Sequence, residues 1–259
     1  MNKINGFTKE PWVTVGEFQR PSCNGKLTIK APASRALDPE RGKRLVNASF
    51  LAKHMVSKAR QTLADYGANS PQRVQDLLQM IFSSDFIGKD HCLFQKLRDR
   101  LAAIEEGLAN ELTLKVTFPP QSNIARGYVA MRDIPDQEEP RAIKTTDILH
   151  HFRGRWRVTG NIHLAYEVLG DTYELHEVAK TIVHEASHRY CVTLDLQYLQ
   201  TKGNVLRYKY MTPQQALENA DSIARFCQYL TVPHLELRQP LAVEGKSEGL
   251  QFMNGKTRC

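Results

Sequence analysis

The chain has 259 residues, 41% of them hydrophobic, which is enough for one catalytic-sized domain with its own core. It contains no run of eighteen apolar residues, so no membrane insertion is expected. Its five cysteines (Cys23, Cys92, Cys191, Cys227 and Cys259) are odd in number, widely spaced and form no CxxC pair, which argues against a disulfide scaffold or a cysteine zinc knuckle.

The net charge of +7 is local. Residues 1–60 hold 12 Lys/Arg against 4 Asp/Glu, whereas the remaining residues hold 23 against 24. A solvated basic leader accounts for this, and no aromatic-basic interleaving accompanies it, so nucleic acid is not an expected partner. Residues 1–45 are rich in Pro, Gly, Ser and basic residues, with one alternating run at Lys26-Leu27-Thr28-Ile29-Lys30, and read as an extended or loosely packed segment. The opening Met1–Thr8 stretch lacks the apolar run of a secretory signal. The expected location is therefore the cytoplasm of the producer, or outside it by a route that reads no such signal.

From about Asn47 the pattern is helical: Phe50-Leu51, His54-Met55 and Leu63 recur at helical spacing, and Gly67 supplies a stop. A second helix is expected over Gln72–Phe82, after Ser70-Pro71. A third is expected over Leu93–Leu108, where Leu93, Leu97, Leu101, Ile104 and Leu108 form one stripe. Leu112–Phe118 alternates like a strand and ends at Pro119-Pro120; Gly127–Met131 and Asn161–Tyr166 are further short strands. A few strands among many helices predict an α+β fold dominated by helices. The expected organisation is a domain over 46–238, with a helical part to residue 110 and the functional part beyond it. A flexible tail over 239–259 follows. Free buried thiols are the expected state of the cysteines, with a Cys191–Cys227 bridge kept open.

Asp171-Thr172-Tyr173-Glu174 has the spacing of a capping box, and Leu175, Val178, Ile182 and Val183 then lay an apolar face along a helix. That helix carries His184-Glu185-Ala186-Ser187-His188. Residues four apart stack on one helical face, so two imidazoles can grip one ion while Glu185 stands beside it as a base. A catalytic zinc (Zn2+) site needs a third protein ligand. Cys191 and Leu194 stand where a metzincin has Gly and His, which removes that option. Glu218 on a later helix and Asp195 in the nearby Thr193-Leu194-Asp195-Leu196-Gln197-Tyr198 both remain candidates. The later helix is announced by Thr212-Pro213-Gln214-Gln215, with an N-cap, a first-turn Pro and a Gln at the third position.

HExxH followed by Thr-x-Asp-x-x-Tyr, and then by Asn219-Ala220-Asp221, resembles the aspzincin metallopeptidases, the group of deuterolysin and the peptidyl-lysine metalloendopeptidases. The resemblance covers roughly residues 175–230. It implies a zincin-like fold with a small sheet and an HExxH active-site helix, and zinc-dependent endopeptidase activity on protein or peptide substrates. It also implies zinc ligands His184, His188 and Asp195, with Glu185 as general base and Tyr198 as oxyanion donor. Asp221 would help bind substrate or orient a ligand histidine, against the bland alternative of a solvated helix-face charge. Two flanking glycines of the family pattern are Val192 and Leu199 here, so the turn before Asp195 is expected to be built differently. Ala224 stands one turn after Asp221, which argues against lysine selectivity. The missing signal suggests a bacterial effector peptidase exported by a dedicated machine. The rival class is a non-enzymatic binding protein on the same fold, engaging a partner through the basic segment.

Overall fold

A computed structural model of the chain describes residues 11–19, 25–67, 69–82, 92–118, 127–129, 132–133, 156–157, 161–198, 211–232 and 235. The first long helix begins earlier than hydrophobic spacing indicates. Asp38 Oδ1 accepts the backbone N–H of Glu40 at 2.9 Å and of Arg41 at 3.2 Å. Pro39 presets the first turn, so α1 runs Pro39–Ala64. Its buried residues include Ala48, Ala52 and Ala59, whose small side chains let other helices approach closely. Helices α2 (Gln72–Phe82) and α3 (Cys92–Ala109) follow the expected stripes.

Two stretches of the expected loose leader, Trp12–Gln19 and Lys26–Pro32, are instead strands. They form β1 and β2 respectively, an antiparallel pair with a register shift between Thr14 and Gly16. β2 lies inside the main sheet, and Leu27, Ile29 and Ala31 are fully buried or nearly so. The physical reason is nonlocal: β2 pairs in parallel with β3 (Leu112–Thr117), Leu27 opposite Leu112, and the chain between them is the helical crossover that parallel pairing requires. Gly25 permits the approach, because a Cβ there would stand 2.0 Å from the backbone carbon of Asn110.

After β3 come β4 (Gly127–Val129), β5 (Arg132–Asp133), β6 (Trp156–Arg157) and β7 (Ile162–Ala165). The five-stranded sheet has the order β1-β2-β3-β7-β4, and β5 pairs separately with β6. β7 runs parallel to β3, and β4 is antiparallel to β7 at the edge. A short 3-10 helix, Tyr166–Leu169, leads to α4 (Leu175–Cys191). The chain closes with α5 (Pro213–Glu218) and α6 (Ala220–Thr231). Thr212 caps α5 in the expected capping box with Gln215. The architecture is α+β and rich in helices, as the texture of the sequence predicts.

The core lies between the sheet and the helices, and α4 runs through its centre, packed against α1, α3 and α6 and against β4 and β7. Where α3 crosses α4, Gly107 meets the Tyr190 ring, and Tyr190 donates its hydroxyl to the Gly107 carbonyl at 3.0 Å. Cys191 and Cys227 are free thiols, so the bridge kept open between them is not made; Cys92 is disulfide-bonded. Among the described residues, no helix is long and apolar enough to cross a membrane. The expected tail over 239–259 and the Leu199 position lie outside the described residues.

Candidate metal centre

Ten consecutive residues of α4, Val178 to Ser187, are buried. A helix buried on every side is unusual for a sequence that includes Lys180, Thr181, His184, Glu185 and Ser187, and each polar group must be accounted for. Thr181 and Ser187 hydroxyls donate back to the carbonyls of Glu177 and His184, at 3.0 and 2.7 Å. The anticipated capping box does not form: α4 opens at Leu175, and Glu174 takes the N-cap position without a side-chain hydrogen bond.

His184 and His188 lie one turn apart, with Nε2 atoms 3.2 Å from each other. Asp195 Oδ1 stands 3.0 Å from Nε2 of His184 and 3.3 Å from Nε2 of His188. His188 Nδ1 faces the Thr193 carbonyl at 2.7 Å. A carbonyl can only accept, so the proton sits on Nδ1 and the Nε2 lone pair points at the cluster. Three atoms able to act as metal ligands therefore converge on one point. Ligand atoms on a tetrahedral zinc with bonds near 2.0–2.1 Å stand about 3.3–3.4 Å apart, close to this triangle. Among the described residues, these three are the grouping of His, Cys, Asp or Glu side chains that could hold a metal ion. The donor set fits zinc in its chemistry and spacing.

The segment that carries Asp195 is anchored at both ends. Val192 ends α4 in the left-handed region, at φ 54° and ψ 41°. That conformation favours glycine, so the turn keeps glycine geometry and places a β-branched residue in it, contrary to the expectation of a differently built turn. Thr193 is buried, with its hydroxyl 2.8 Å from that of Ser187. Leu194 forms a parallel bridge with Asn219. Fully buried Asn219 accepts the N–H groups of Leu196 and Gln197 on Oδ1, at 3.0 and 3.1 Å. Sequence reading named Asn219 only as part of a motif; its contacts span more than twenty residues and leave no local pattern.

Glu185 is 3% exposed, and its Oε2 has no hydrogen-bond partner. Burial pushes its carboxyl up to about 8, against the nearby charges of His188 and Lys180. A buried carboxyl left without a partner is costly and is a mark of functional sites. Burial also lowers the His184 pKa, with Asp195 opposing. The Asp195 carboxyl is held far below the usual range: burial alone would raise it, but the His184 and His188 imidazoles against it prevail. Tyr198 is exposed at the mouth, its ring stacked on that of His184 with centroids 5.7 Å apart. Burial of part of the ring, together with Asp195, pushes its phenol up, so it stays a hydrogen-bond donor.

Asp221 is 2% exposed, which removes the alternative of a solvated helix-face charge. Its Oδ1 lies 3.9 Å from Lys180 Nζ and 3.9 Å from Arg225 Nε. Lys180 also faces Glu177 at 3.6 Å, and Arg225 donates to Glu177 at 3.0 Å and to Gln228 at 2.7 Å. This buried cluster joins α4 to α6 directly behind the histidines. Sequence reading missed it, although Lys180 stands one turn before His184 and one turn after Glu177 on the same helix face. The rival ligand Glu218 faces Arg100 and belongs to no metal-binding group among the described residues.

No protein-family profile matches the chain, and no curated protein matches it in sequence. Among solved structures, its fold is similar to that of a zinc peptidase from Grifola frondosa, at 17% identity and a TM-score of 0.50. The match covers 76% of this chain and 99% of that one. The likeness is one of fold, a helix-rich α+β structure, and this chain carries in it a His-His-Asp group able to hold a metal ion.

Proposed function

We propose that the chain is a zinc-dependent endopeptidase, with zinc held by His184, His188 and Asp195. The observation that carries the reading is the convergence of three potential ligand atoms within 3.3 Å beside a buried carboxyl whose Oε2 has no partner of its own. When bound, zinc supplies a Lewis acid for the scissile carbonyl and lowers the pKa of a coordinated water to about 7.

The remaining work falls to the chain. The cation's charge favours the ionised form of Glu185, whose carboxylate takes a proton from the attacking water and returns it to the leaving amine. Tyr198 donates its hydroxyl to the oxygen on which negative charge develops, and its position at the mouth suits that task. Asp221 acts from behind. Its charge makes the His184 imidazole a more basic ligand, and Lys180 and Arg225 balance it within the fold. The substrate is an extended protein or peptide segment. A site whose buried carboxylate is already matched by two internal cations has no reason to select lysine side chains.

Cleavage of unfolded casein by wild type and by Glu185→Gln tests the reading, with and without a chelator. Cleavage by wild type alone, lost on chelation and restored by zinc, is the expected result. Equal activity of both proteins, or activity indifferent to chelation, overturns it.

A further inference from the structure

We infer that Asn219 is a positioning residue that sets the geometry of the ligand Asp195; the inference rests on the metal-centre reading above. Asn219 sits at the junction of α5 and α6, in extended conformation with φ −91° and ψ 121°. Asparagine at a helix N-cap ordinarily turns its side-chain oxygen onto its own helix and accepts an N–H two or three residues on. Asn219 does not: α6 has no side-chain cap. Its Oδ1 reaches across to the segment 193–198 instead and accepts two consecutive N–H groups, those of Leu196 and Gln197.

Three further contacts make this a clamp. The Asn219 amide donates to Ser222 Oγ at 2.8 Å, which orients its oxygen toward the loop. The Leu194 N–H donates to the Glu218 carbonyl at 2.7 Å, and the Ala220 N–H donates to the Leu194 carbonyl at 2.9 Å. Asp195 thus lies between a backbone bridge at Leu194 and the Asn219 oxygen at Leu196 and Gln197. Its own side chain is 47% exposed and meets the two histidines and Tyr198 at its carboxylate end. The aim of its carboxylate is fixed by the backbone on either side. α6 forgoes a cap, and the ligand segment receives the oxygen. Groups that orient a ligand in this indirect way are worth roughly 10- to 100-fold in metal affinity.

The test compares wild type, Asn219→Ala and Asn219→Asp. Aspartate keeps an oxygen in reach of both N–H groups, and the Ser222 hydroxyl can reverse its role toward it. Zinc affinity is measured by competition with a chromogenic chelator. Amide hydrogen exchange at Leu196 and Gln197 is followed in chelated protein, and thermal midpoints are recorded in chelator. We expect Asn219→Ala to lose 10- to 100-fold in zinc affinity and the protection of both amides, and Asn219→Asp to keep affinity within about threefold. Unchanged affinity and protection in Asn219→Ala overturn the inference. Equal losses in both variants, in step with their thermal midpoints, overturn it too, because they indicate a merely structural role. A wild type that binds no zinc yet shows Asn219-dependent protection at the two amides would leave the clamp in place and defeat the zinc reading.

Discussion

Two residues concentrate the local costs of this structure. Val192 holds a left-handed backbone conformation that costs an L-residue about 1–2 kcal/mol, at the upper end for a β-branched one. Glycine would relieve that strain, at about 0.5–1 kcal/mol of extra chain entropy and the loss of a partly buried side chain. Val192→Gly is therefore expected to leave stability unchanged or raise it by up to about 1 kcal/mol in urea denaturation. A loss above about 1 kcal/mol would show that the side chain matters more than the backbone. Glu185 is the second: its buried Oε2 lacks a partner. Burial makes the metal-free fold hold this acid protonated well above its ordinary pKa, a cost that Glu185→Gln removes, so in chelator at neutral pH this variant should melt higher than wild type, and with zinc restored it should show no cleavage. A lower melting temperature would mean that the carboxylate contributes to the fold itself.

The pairing of α4 with α6 carries the next expectations. Burial alone would raise the Glu177 carboxyl, but Arg225, Lys180 and the Gln228 amide hold it down to about 2 from an ordinary 4.5. A depressed acid stabilises the fold above its unfolded pKa. Stability on the order of 3 kcal/mol is therefore present above pH 4.5 and lost as pH falls through about 2. Glu177→Gln should lower stability at neutral pH and flatten the acid limb of the stability curve over that window. A limb as steep as that of wild type would place the acid response elsewhere. At the crossing of α3 and α4, a Cβ on Gly107 would stand 2.4 Å from the Tyr190 ring. Gly107→Ala should cost about 1–3 kcal/mol in thermal or urea unfolding, against the gain that alanine usually brings to a helix interior.

What the sequence made legible follows the same division by range. Stripes at 3.6-residue spacing announce α2 and α3 because each helix buries one face, and the HExxH spacing alone puts His184 and His188 on one side of α4. The start of α1 is legible too, but in the cap Asp38-Pro39-Glu40 and not in the apolar spacing, which begins about eight residues later. β1 and β2 were not: five residues of weak alternation carry no sign of a partner strand whose first paired residue, Leu112, lies 85 positions beyond Leu27. Nor were the Asn219 clamp and the Glu177–Lys180–Asp221–Arg225 cluster, since each depends on α6 folding back over α4. Charged residues on a helix ordinarily read as a solvated face, and only burial on all sides makes them a cluster.

At the scale of the whole molecule, a helix threaded through the core presents two imidazoles and a carboxylate to a segment held by a neighbouring helix junction. The account stands or falls on what those groups bind. Zinc content should be measured by mass spectrometry of wild type, Asp195→Ala and Glu218→Ala, each purified with zinc present and dialysed identically. The prediction is one zinc per chain in wild type and Glu218→Ala, and little or none in Asp195→Ala. Absence of zinc from wild type, or its loss from Glu218→Ala with retention in Asp195→Ala, would contradict the account.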